Sequence, residues 1–145
     1  MSFIPPGECV DILALDSHSV ICINRVGGVF VKTGSLSREV SEDRRIFLLP
    51  LLERGYESVV RELEIKEAEL GLPLGYLMGQ LDLFELPFSA FAMRSDYWIG
   101  LALSWIAQME RGSYGELLSG VVDAKWVSQR NRQKALKLLS DKYSA

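Results

Sequence analysis

Few side chains in this 145-residue sequence are suited to covalent chemistry. The lone histidine, His18, sits in DSHSV beside an expected turn and reads as an exposed loop residue. Cys9 or Cys22 could pair with it as a nucleophile and base, but spacing alone does not bring either thiol to the imidazole. Two cysteines and one histidine without ligand spacing make no zinc site. RVGGVF (25–30) matches neither GxGxxG nor GxxxxGK[ST], so no phosphate-cradling loop is indicated. Carboxylates are plentiful in ERGYESVVRELEIKEAEL, yet no two stand out as an acid/base pair. Such a run is a solvated face or a surface that meets a basic partner. The expectation is no enzyme, no cofactor and no metal.

The totals bound the rest. One domain of this length can bury a real core, and 48% apolar with 24% charged residues is a globular composition. The net charge is −3, which argues against a generic nucleic-acid binder. Residues 1–93 hold 8 Lys/Arg and 14 Asp/Glu, whereas residues 94–145 hold 8 and 5, so the acidity is concentrated early and the basic excess late. Arg130, Arg132, Lys134 and Lys137 could imitate a DNA-reading helix, but cations near a helix C-terminus are favoured anyway. Two thiols make no disulfide framework and fit a reducing cytoplasm. MSFIPPGECVDILAL has no basic start and only a short apolar run, so no secretory signal is expected. No apolar stretch reaches the ~18–20 residues that span a bilayer.

The elements follow from period and punctuation. A Pro-Pro-Gly turn precedes ECVDILAL, a possible short helix. A β-hairpin is expected at roughly 19–33, turning at Arg25–Gly28. TGSLSREVSEDR reads as an exposed polar connection. Ser41, followed by Glu42 and Asp43, can cap a helix over EDRRIFLLPLLER that Pro50 should kink or split. Tyr56, Val59, Val60, Leu63 and Leu70 share one face of a second helix, with Glu57–Arg61 and Glu62–Lys66 as i,i+4 pairs. Gly71, Gly75 and Gly79 suggest tight packing. Leu74, Leu77, Met78, Leu81 and Phe84 predict a further helix closed by Pro87. Ser113 and Glu116 form a capping box for a helix with Tyr114, Leu117, Leu118, Val121, Val122 and Trp126 on one face. A last helix near 128–143 carries Ala135, Leu138, Leu139 and Lys142 on one side. No linker is long enough to divide the chain. The expected fold is mainly α, a compact helical bundle with a short N-terminal β-hairpin, in a single domain over 1–145.

SDYWIGLALSWI (95–106) is apolar nearly all round a helix, with Ser95 or Asp96 as cap and Gly112 as stop. Such a helix belongs in a core, and Gly100, which costs ~1 kcal/mol against alanine, should admit a neighbouring helix closely.

LPFSAFAMRSDYWIGLALSWI (86–106) and WVSQRNRQKALKLL (126–139) resemble a pattern in small bacterial immunity proteins of contact-dependent growth inhibition and other polymorphic toxin systems. There a Tyr-Trp helix with a second Trp seven residues on is followed by a Trp-x-x-Gln-x-x-Arg helix. The likeness covers about a third of the chain. It implies a cytoplasmic, catalytically inert protein that binds one cognate toxin C-terminal domain 1:1 and occludes its active site, with no nucleic-acid or membrane partner. If that toxin is a nuclease, its basic cleft makes Glu57, Glu62, Glu64, Glu67 and Glu69 candidate contacts, with Asp82 and Glu85 next. Helix geometry allows only a subset of them on one narrow face. The alternative is a non-catalytic helical interaction or regulatory module, monomeric or oligomeric.

Overall fold

The computed structural model describes residues 8–109 and 114–143. The Pro-Pro-Gly turn, Gly112, Ser113 and the side chains of Glu42 and Asp43 lie outside what it describes. The chain forms two compact units, Met1–Leu83 and Phe84–Ala145.

The first unit opens with a four-stranded antiparallel sheet, β1 (Cys9–Ala14), β2 (Ser19–Asn24), β3 (Val29–Thr33) and β4 (Leu36–Glu39), paired in chain order. This corrects the expected helical bundle with a short hairpin: the hairpin is there, but a strand flanks it on each side. ECVDILAL is strand rather than helix. A bulge shifts the register between Asp11 and Leu13, so Ile12 and Leu13 are both buried and the period-2 signature is lost. β4 lies inside the stretch expected as a connection. All four of its residues are exposed, so no apolar pattern marked it.

On the inward face Ile21, Ile23, Val29 and Val31 are buried. Next comes a 3-10 helix over Glu42–Glu53 instead of an α-helix. Leu48 and Leu51, like Leu49 and Leu52, are buried three residues apart, and a three-residue turn aligns such pairs. Pro50 lies inside the helix and does not split it. Two α-helices complete the unit, α1 (Tyr56–Leu70) and α2 (Tyr76–Leu81). Gly71 and Gly75 serve turns, not close packing: their φ angles are +69° and +88°.

A 3-10 turn, Leu83–Glu85, leads into α3 (Leu86–Ala92). Pro87 therefore opens a helix in its first turn rather than closing one. The second unit continues with α4 (Asp96–Gln108), α5 (Gly115–Asp123), α6 (Gln129–Leu138) and a π-helical turn, Leu139–Tyr143. Ser95 caps α4 by accepting the Trp98 N–H at 3.3 Å. Ile99, Ala102, Leu103, Trp105 and Ile106 are buried, but Trp98 is half-buried and Tyr97 is 56% exposed, so α4 is not enclosed all round.

The start of α6 is bound to the start of α4. Asp96 Oδ1 accepts the Ser128 N–H at 2.7 Å and Asn131 Nδ2 at 3.0 Å, and the Asp96 carbonyl accepts Asn131 Nδ2 at 3.0 Å. A Cβ on Gly100 would sit 3.0 Å from that same Asn131 amide, which is why glycine occupies a helix interior here.

Candidate functional site

Helix α1 presents the carboxylates expected at a partner surface. Val59 and Leu63 are buried, and four-residue spacing carries their stripe on to position 67. Position 67 is a glutamate, and it is only 2% exposed. Its carboxylate accepts the Gly75 N–H at 3.0 Å and the Leu77 N–H at 2.7 Å, which fixes the turn between α1 and α2. Glu67 is thus withdrawn from the surface. The sequence held the signal, since Glu67 continues the Val59–Leu63 stripe.

Glu57, Glu62, Glu64 and Glu69 are exposed on the same helix. Residues seven apart fall on one side, so Glu57 and Glu64 form one row and Glu62 and Glu69 another. Between the rows the 3.6-residue period places Arg61, Ile65 and Ala68, and Ile65 is 54% exposed. The rows differ in charge compensation. Arg54 binds Glu62 and also donates to the Ala14 carbonyl at 2.9 Å, while Lys66 pairs with Glu69 at 2.9 Å. These replace the expected i,i+4 pair of Glu62 with Lys66. Among the described residues no ion pair within 4.0 Å involves Glu57 or Glu64.

The remaining two candidates lie on other elements. Asp82 ends α2 in a left-handed conformation, with its carboxylate 3.4 Å from Arg45, whose other nitrogen donates to the Leu81 carbonyl at 2.7 Å. Glu85 is exposed just ahead of α3, in the second unit. His18 is exposed, and its backbone N–H donates to Asp16 Oδ1 at 2.8 Å.

Among the described residues, no three His, Cys, Asp or Glu side chains converge to hold a metal ion. No helix among them is long and apolar enough to cross a membrane. No protein-family model matches the chain, and neither does any curated protein or solved structure.

Proposed function

We propose that this chain is an immunity protein: a non-enzymatic, cytoplasmic inhibitor that binds one toxin C-terminal domain 1:1 and occludes its active site. The resemblance over 86–106 and 126–139 supplies the role. The structural observation that favours it is the outward side of α1, where exposed Ile65 lies between the two glutamate rows, nearer Glu62 and Glu69, and the Glu57/Glu64 row has no ion pair within 4.0 Å among the described residues. An apolar centre with a charged rim is the anatomy of a protein interface, and the unpaired carboxylates would steer a basic cleft toward it.

The test is coexpression with the toxin domain encoded directly upstream, read as rescued growth and a 1:1 complex. Glu57→Lys with Glu64→Lys should slow association and weaken its salt dependence, and Ile65→Asp should speed dissociation, with the fold intact in both. Wild-type protein that neither binds nor protects would sink the role. Binding with unchanged kinetics in both variants would move the interface away from α1.

A further inference from the structure

We infer that Cys9 and Cys22 form a two-coordinate site for a soft monovalent cation, with monovalent copper as the biological ligand. Pairing of Cys9 with Asn24 and of Asp11 with Cys22 puts both cysteines on one face of the β1–β2 pair, one step apart on the diagonal. Both are free thiols.

Access and shielding are divided between them. Cys9 is half-buried and lines an open groove of about 400 Å³ with Asn24, Val26 and Phe30. Cys22 beneath it has no exposed surface. An ion can therefore enter past Cys9 and be held away from water by Cys22.

The donor set selects the ligand. Among the described residues no three His, Cys, Asp or Glu side chains are placed to hold one metal ion together, and Asp11 pairs with Lys32, so tetrahedral zinc has too few ligands. Two thiolates alone suit a soft d¹⁰ ion that accepts linear coordination. The diagonal placement also favours an ion over a direct bond. Diagonal partners sit roughly 7–8 Å apart at Cα, beyond the ~6.8 Å a disulfide usually tolerates. A sulfur–metal–sulfur bridge is longer than a sulfur–sulfur bond and suits such a spacing.

Binding involves no redox step. Each thiol gives its proton to solvent and its sulfur lone pair to the ion, leaving a complex of charge −1. The groups facing it are Asp11 on β1, Asn24 on β2 and Lys32 on β3. The Lys32 amine is 2.5 Å from Asp11.

The test is anaerobic titration of the full chain with monovalent copper against the chelator bicinchoninate. Wild type should withdraw one equivalent, and X-ray absorption should find two sulfur neighbours. Cys9→Ser and Cys22→Ser should each lose that equivalent. Because Cys22 is buried, folding of both variants is checked by circular dichroism, and the half-buried Cys9→Ser decides the matter if Cys22→Ser unfolds. Copper retained by folded Cys9→Ser, nitrogen or oxygen in the first shell, or withdrawal no better than the double serine variant would overturn the site. So would recovery of a copper-free disulfide.

Discussion

Two carboxylates show why residue type alone misleads. Glu67 reads as one more acid in a charged run, yet it holds the Gly75 and Leu77 amides in the interior. Hydrogen bonds to a charged group contribute roughly 1.5–3 kcal/mol, and truncation leaves buried donors unpaired. Glu67→Ala should therefore cost about 2–4 kcal/mol in urea denaturation, by the same reasoning, whereas Glu64→Ala on the exposed side should change little. Equal losses at the two positions would contradict the assignment. Asp96 behaves differently. The Ser128 backbone N–H, and then Asn131 and the Ser128 side chain, hold its carboxyl below the usual 3.8. A depressed carboxyl contributes stability above its unfolded value and loses that contribution as pH falls through 3.8 and below. Asp96→Asn should thus be less stable than wild type at neutral pH, with the gap narrowing under acid. A gap constant from pH 7 to pH 2.5 would show that the charge contributes nothing.

Elements were legible where one apolar face met one regular period. The β2–β3 hairpin, α1, the core stripe of α5 and the start of α6 follow their patterns. Two strands did not, because the bulge in β1 turns consecutive residues inward and β4 buries nothing. The 3-10 helix was misread because six apolar residues around Pro50 fit either helical period. Within α4, all-round apolarity concealed a difference between two tryptophans: Trp105 is 2% exposed, whereas Trp98 is half-buried with its ring 5.0 Å from that of exposed Tyr97. Trp105→Ala should cost ~3–5 kcal/mol and Trp98→Ala distinctly less, measured by chemical denaturation. The reverse order would require α4 to be rotated. The candidate site was half legible. Charge density found the helix, but only the positions of Arg54, Lys66 and the α1–α2 turn separate paired, buried and unpaired glutamates.

At the scale of the whole molecule, charge is divided along the chain. Residues 1–83 carry 8 Lys/Arg against 13 Asp/Glu, and residues 84–145 carry 8 against 6. Helix α6 alone holds Arg130, Arg132, Lys134 and Lys137 with no acid. A nucleic-acid binder gains affinity steeply as salt falls. Labelled duplex DNA titrated at about 50 mM salt should nevertheless show no tight binding, because an isolated basic helix on an acidic chain supplies few phosphate contacts. Sub-micromolar affinity that disappears in Arg130→Ala with Arg132→Ala would instead make α6 a nucleic-acid surface. Opposite signs in the two segments are plain in the sequence, and no polar linker marks the boundary between the two compact units.

The sheet also bears on how this protein survives crowding among its own copies. An open sheet exposes a row of backbone donors and acceptors at each margin, a template on which a second chain can recruit itself into fibrillar stacks. Here both margins are poor templates. β1 carries its bulge at one side, which interrupts a straight ladder, and β4 at the other is four residues long with Arg38 and Glu39 in it. The irregularities that hid these two strands from a periodic reading are the same ones that discourage strand-by-strand polymerisation.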